Sequence, residues 1–311
     1  MVVARHPLAQ NPCVGRLWGV KNNFKTLVLM ATLGALFVGV GQLLGGTSGA
    51  TIALGIAGAM NFAMYFFSHK LALKGAKAMP VEEHELPNVY SIVRSLAQRE
   101  GMPMPKIYLI QSPQPNAFAT GRNPSHAAVA VTTGIVELMD YAELEGVLAH
   151  ELSHVKNRDI LISSIAATVA VALSFLVRIS FWTGMGRGRR GNSGISAIIG
   201  ILALVLAPLA AMVIQMAISR SREYQADRSG SETTGSPLAL ARALAKLEQG
   251  TSKIPMKIDP STAQLFIADP LKALGGGRRR GRGMIRMFST HPPIQERINR
   301  LEDMAQGGLI R

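Results

Sequence analysis

Apolar positions along the chain fall into two kinds of stretch, long unbroken runs and shorter segments with helical or alternating spacing. The unbroken runs are residues 26–44, 50–67, 160–177 and 195–218, of 19, 18, 18 and 24 residues, all without charge. About 20 apolar residues span a hydrocarbon core, so each predicts a transmembrane helix. The first two are joined only by GGTSG at 45–49, which predicts a tight hairpin. A signal-peptide core is roughly 7 to 15 residues, shorter than the first run, so the hairpin is expected to stay uncleaved. The connection between the third and fourth runs carries Arg178, Arg187, Arg189 and Arg190. Either that loop crosses the bilayer, or the second hairpin packs partly against protein, because apolar runs alone do not separate buried from membrane helices.

The segment 71–140 reads as a small α/β unit. Residues 86–100 place Val89, Ile92, Val93 and Leu96 on one helical stripe, with Pro87 at the start and Pro103 and Pro105 beyond the end. Three short runs, 106–111, 116–120 and 127–133, predict strands separated by Pro, Gly and Asn turns. Helical spacing returns in YAELEGVLA at 141–149 and continues without a break into HELSH. Residues 236–249 predict a helix capped by Ser236 with Pro237 at its first position. Ile294, Ile298, Leu301 and Met304 mark a last helix opened by Pro292 and Pro293. The expected class is α+β: a mainly helical domain with a small β-sheet, plus two hydrophobic hairpins and up to four transmembrane helices.

Composition agrees with membrane segments. Hydrophobic residues make up 48% of 311 and aromatics only 5%, and the mean hydropathy is +0.22. The lone cysteine, Cys13, excludes an intramolecular disulfide and a secreted disulfide scaffold. Arg16, Lys21 and Lys25 precede the first hairpin and Lys70, Lys74 and Lys77 follow it, so both flanks are expected in the cytoplasm of a plasma-membrane protein. A net charge of +14 and the loop GGGRRRGRG at 275–283 could serve nucleic acid. Without a nucleic-acid fold or interleaved aromatics, anionic lipid headgroups are the expected partner instead.

The chemistry centres on LAHELSHVKNRD at 148–159. His150 and His154, four apart on a helix, project from one face and can converge on one ion, with Glu151 beside them to polarise water without ligating. A lone HExxH also arises by chance, and a catalytic zinc wants a third protein ligand. In SRSREYQADRSG at 219–230, Glu223 and Asp227 lie one turn apart, so one carboxylate can reach a metal while the other holds a ligand histidine. The competing reading makes them surface charges among Arg220, Arg222 and Arg228. His154 stands six residues before the third apolar run and Glu223 five after the fourth, about 7 to 9 Å of helix from each, which favours substrates near a bilayer surface. Lys156, Arg158 and Asp159 directly after the motif argue against an intramembrane site.

HELSH, then REYQAD, then STHPPIQER at 289–297 resemble, in order, the motifs of the HtpX family of membrane zinc endopeptidases, relatives of the prenyl-protein protease Ste24; the likeness covers nearly the whole chain. The resemblance implies a zincin-like fold, one Zn2+ on His150, His154 and Glu223, Glu151 as general base, Asp227 holding a ligand histidine, and His291 and Arg297 as catalytic oxyanion donors. From spacing alone, Arg297 reads equally well as a surface cation paired with Glu296 or Glu302. NAFAT at 116–120 resembles the edge strand on which zincins bind extended peptide, with Asn116 and Ala117 the expected substrate contacts; otherwise it is a connecting strand. The implied substrates are damaged membrane proteins, cleaved in bacterial quality control under stress. Alternatives are a Ste24-type processor of specific peptides, disfavoured by the smaller number of spans, and a silent membrane scaffold or chaperone, disfavoured by the complete motif set. The expected layout is a basic tail at 1–25, a hairpin at 26–67, a catalytic domain in two parts at 68–158 and 220–311 split by a second hairpin at 159–219, and a flexible basic loop at 270–286.

Overall fold

The computed structural model describes residues 12–161, 220–256, 258, 263–270, 272–273 and 292–307. Beyond Leu161 the second pair of apolar runs lies outside those residues, as do the arginine-rich connection, the loop at 275–283 and His291.

Helix α1 (Pro12–Gly75) keeps helical backbone over 64 residues, yet it is no rod. Asn61 Nδ2 donates to the Met30 carbonyl at 3.1 Å, whereas 31 residues of straight helix would separate them by about 46 Å. The chain therefore doubles back, and Gly46, in the GGTSG segment, sits at φ +61°, which only glycine adopts without penalty. Among the described residues no single helix is long and apolar enough to cross a membrane. One bent pair, Gly46–Ala63 with Tyr65–Gly75, meets both conditions across a 59° bend. The chain doubles back where the sequence predicts a turn, while straight spanning helices are not seen among the described residues.

The remainder packs helices against a four-stranded mixed sheet. Strands β1 (Met79–Pro80), β2 (Lys106–Ile110), β3 (Ala117–Gly121) and β4 (Ala127–Thr132) lie in the order β1-β2-β4-β3, with β2 and β4 parallel and the outer pairs antiparallel. Alternation in β4 aims Val129 and Val131 at a core containing Val89, Ile92, Val93 and Leu96, and Ala128 and Ala130 at a second cluster around Phe118 and Phe266. Both faces are covered, so β4 and β3 are buried throughout. That places β3 at the edge of the sheet with only one side paired.

Helix α2 (Pro87–Arg99) ends before the prolines expected to stop it. Gly101 takes φ +63°, and the Met102 N–H bonds the Ala97 carbonyl while Gly101 N–H bonds Gln98, a complete Schellman motif. A short helix missed from the sequence, α3 (Thr133–Leu138), begins where the strand reading overran, because Thr132 Oγ1 caps it by accepting from Ile135 N–H. Helix α4 (Tyr141–Lys156) carries HELSH and starts in a capping box: Asp140 accepts from Glu143 N–H and Glu143 accepts from Asp140 N–H. It runs through the middle of the domain, packed by α2, β3, α5 (Arg220–Thr234) and α6 (Pro237–Lys253). Ser236 does not cap α6 with its side chain; Pro237 alone marks the start. Lys246 of α6 pairs instead with the buried Glu143 at 2.6 Å. Helix α7 (Ile294–Ala305) closes the described structure against α5 and α6.

Candidate metal centre

Two helices meet at the motif because a side chain is missing. A Cβ on Gly230 of α5 would stand 2.8 Å from the His150 backbone nitrogen, so glycine there lets α5 lie directly on α4. On α5, Glu223 and Asp227 are two turns and one turn before that crossing, and both face the histidines.

The donors converge. His150 Nε2 and His154 Nε2 are 3.3 Å apart. Glu223 presents Oε2 to His150 Nε2 at 3.7 Å and Oε1 to His154 Nε2 at 3.6 Å. A tetrahedral ion with ligands about 2.0–2.1 Å away separates its donors by roughly 3.3–3.4 Å, so the three groups fit one zinc-sized ion. All lie within 4.8 Å of one another, and Glu151 is not one of the set. Glu151 is anchored separately: its Oε2 accepts the Ala119 N–H of β3 at 2.9 Å.

Each histidine is oriented from behind by a carboxylate. His150 Nδ1 is 2.9 Å from Asp227 Oδ1, and His154 Nδ1 is 3.2 Å from Asp159 Oδ2. An N–H on each Nδ1 donates to its carboxylate and leaves Nε2 as a lone-pair donor, the tautomer a metal needs. Asp227 is in turn clamped by Arg297, Nε to Oδ2 at 2.8 Å and Nη2 to Oδ1 at 2.6 Å. Arg297 Nη2 also lies 3.3 Å from His150 Nδ1.

The electrostatics follow from burial and these pairs. Burial, with the Arg297 charge beside it, lowers His150 to about 4 against the pull of Asp227, so it is neutral at neutral pH. Burial also opposes charge on His154, yet its hydrogen bond to Asp159 and the charges of Glu223, Asp159 and Glu151 raise it to about 9. Three carboxylates thus bear on His154, negative charge of the kind that also attracts a divalent cation. Burial works against the Asp227 carboxylate, but the Arg297 charge and the hydrogen bonds from Arg297 and His150 hold it down to about 2.

Two groups of expected site residues have settings that the sequence did not announce. Asn116 and Ala117, the expected substrate contacts, are both fully buried, because residues 263–270 fold over them. Asn116 Nδ2 donates to the Ala268 carbonyl at 2.8 Å, and the Ala117 carbonyl accepts from Ile267 N–H at 3.0 Å. The outward backbone of β3 is at Ala119 and Gly121, two and four residues on, by strand alternation. Arg297 is no surface cation and pairs with neither Glu296 nor Glu302; it is 0% exposed and grips Asp227. Its Nη2 is also 3.4 Å from His150 Nε2 and its Nη1 4.0 Å from Glu223 Oε2, so it borders the metal donors as well as Asp227. His291 lies outside the described residues. The sequence reading missed Asp159 as a histidine partner, although a carboxylate five positions past His154 was visible in KNRD, and it missed Ala119 N–H, which no side chain announces.

Comparison with known proteins places these motifs in company. The model of peptidase family M48 matches residues 83–305. A protease HtpX homolog of Thermodesulfovibrio yellowstonii is 52% identical over 287 residues, covering 92% of this chain and 99% of the relative. Homologs of the same name from Pelotomaculum thermopropionicum and Burkholderia mallei are 48% and 50% identical, covering 91% and 92% of this chain and 99% and 98% of theirs. Among solved structures, Ste24p of S. mikatae aligns with a TM-score of 0.49 at 21% identity, over 92% of this chain and 66% of that one.

Proposed function

From its membership of peptidase family M48, to which the chain belongs, and from the site just described, we propose that it is a zinc-dependent endopeptidase held in a membrane by its N-terminal hairpin. The observation that carries the metal reading is the convergence of His150, His154 and Glu223 from two helices at 3.3 to 3.7 Å.

Zinc, when bound by those three residues, supplies the Lewis acidity that makes water nucleophilic and polarises a peptide carbonyl. Glu151 takes the proton from the attacking water and passes it to the leaving amine. Its hydrogen bond from Ala119 fixes the carboxylate beside the metal ligands without making it one. Substrate enters extended along β3 beyond the part covered by residues 263–270, where the outward backbone of Gly121 can pair with it as an added strand. Asp227, Asp159 and Arg297 hold the two imidazoles in the ligating orientation.

Membrane attachment is supported by the hairpin surface. Leu27, Ile52, Leu54 and Phe62 are each at least 60% exposed, an apolar face that hydrocarbon would cover. Lys70 and Lys74 at its exit are exposed and favour a cytoplasmic side for the catalytic domain. A site so near the hairpin suits damaged membrane proteins as substrates, in the plasma membrane of a bacterium. The test is casein cleavage by detergent-purified full chain, with and without chelator and with zinc restored. Activity that survives the chelator sinks the metal reading; loss and recovery supports it.

A further inference from the structure

At the foot of the hairpin, where it meets the end of β3, lies a cleft of about 520 Å³ lined by none of the metal donors. Its polar wall is Arg122, Asn123, Ser125 and Arg158, and its apolar wall includes Leu27 and Tyr65 of α1. Leu27 is second in the first apolar run and Tyr65 is two residues from the end of the second, so the cleft lies level with the hairpin's base, where headgroups would meet hydrocarbon.

The two arginines are left with net charge. Arg122 is stacked over Phe66 at 4.9 Å, and its Nη2 lies 2.7 Å from His126 Nε2. His126 Nδ1 is 2.8 Å from Asn123 Oδ1, so Nδ1 carries the proton and Nε2 accepts from Arg122 as a neutral imidazole. Arg158 is exposed, and no carboxylate lines the cleft among the described residues. The neighbouring Asp159 turns to His154. Arg158 holds φ +58° at the end of α4, a conformation glycine fills more cheaply. The positive charges of Lys70, Arg122 and Lys106 also bear on the half-buried His69 close by.

We propose that this cleft binds the phosphate headgroup of an anionic phospholipid, with Arg122 and Arg158 on the phosphate and an acyl chain against Leu27 and Tyr65. Phosphate suits paired guanidinium groups through charge-assisted hydrogen bonds. The apolar wall distinguishes a lipid from a free anion. Lipid so placed borders the open end of β3, since Arg122 directly follows Gly121. The inference rests on the hairpin lying in a membrane but not on the peptidase chemistry.

The test uses full-length protein in neutral detergent, titrated with phosphatidylglycerol or phosphatidylcholine and read by native mass spectrometry. Flotation with pure phosphatidylcholine vesicles separately reports membrane attachment. Wild type should retain phosphatidylglycerol selectively. Each of Arg122→Gln and Arg158→Gln should weaken it about fivefold, which is roughly 1 kcal/mol per cation. Arg94→Gln with Arg228→Gln removes two charges, one more than either variant, from exposed carboxylate-paired sites and should change nothing. Arg158→Gly should lose lipid while melting no lower than wild type, which separates binding from folding. Equal loss in the charge control, or no preference over phosphatidylcholine, overturns the proposal. Displacement of lipid by inorganic phosphate alone would overturn it in favour of a free-anion site.

Discussion

Replacing Arg297 by Met tests whether the arginine works through His150 or on the reaction itself. The guanidinium is 0% exposed and makes a two-pronged pair with Asp227 at 2.8 and 2.6 Å. Two unit charges about 4 Å apart at an effective dielectric of 20 attract by roughly 4 kcal/mol. Removing one partner strands the other in the interior, a loss of about 3–5 kcal/mol. At roughly 2–4 °C per kcal/mol for a chain of this size, the melting temperature should fall by at least about 6 °C. Asp227, freed from its clamp, would no longer fix the His150 ring, and zinc affinity should drop about 10- to 100-fold. Adding Asp227→Asn removes the stranded charge while an amide oxygen can still accept from His150 Nδ1. The double variant should therefore melt above Arg297→Met alone. Melting curves and competition with a zinc-binding dye measure both effects. If Arg297→Met kept its stability and zinc affinity and lost only turnover, the arginine would be an oxyanion donor and the clamp of no consequence.

Further outcomes follow from the same geometry. Glu151→Gln should keep stoichiometric zinc by elemental analysis and lose at least about a hundredfold in turnover, whereas Glu223→Ala should lose the zinc itself. Asp159→Ala should weaken zinc binding at least about tenfold in the dye assay through the His154 ring; unchanged affinity would make that contact incidental. Gly230→Val should force α5 off α4, destabilising by at least about 1–3 kcal/mol and lowering zinc occupancy together, since the first added carbon already meets His150 N at 2.8 Å. His291→Ala should reduce turnover about a hundredfold at unchanged zinc content, as loss of one oxyanion donor does; full turnover in folded, zinc-loaded protein would return His291 to a structural role.

What was legible in the sequence was what helical or strand period encodes locally. His150 and His154 share a face by spacing alone, as do Glu223 and Asp227, and the strand runs fell within a residue or so of β2, β3 and β4. Which carboxylate would ligate was not in the spacing; the family resemblance supplied Glu223. Contacts made by elements docking from elsewhere were not legible either. Arg297 has acidic neighbours on its own helix, so spacing paired it with them, and only the packing of α7 against α5 brings it to Asp227. The burial of Asn116 and Ala117 was not legible because the segment covering them, 263–270, has no periodic pattern to reveal that it packs there. Prolines were read as the end of α2, although the cheaper device, Gly101 in the left-handed region, comes first.

The third metal donor stands 69 positions beyond the second, yet its carboxylate is 3.6 Å from His154. Bringing such distant points together costs about 4 kcal/mol in loop-closure entropy, which must be met before the final ligand contributes. While the ribosome has made only α4, the polypeptide owns HELSH but not Glu223. On the proposed function the nascent chain is thereby inactive: hydrolysis needs the later half to have emerged and docked. For a peptidase so built, separation in sequence acts as a biosynthetic safety catch, since the protein is no enzyme until it is whole.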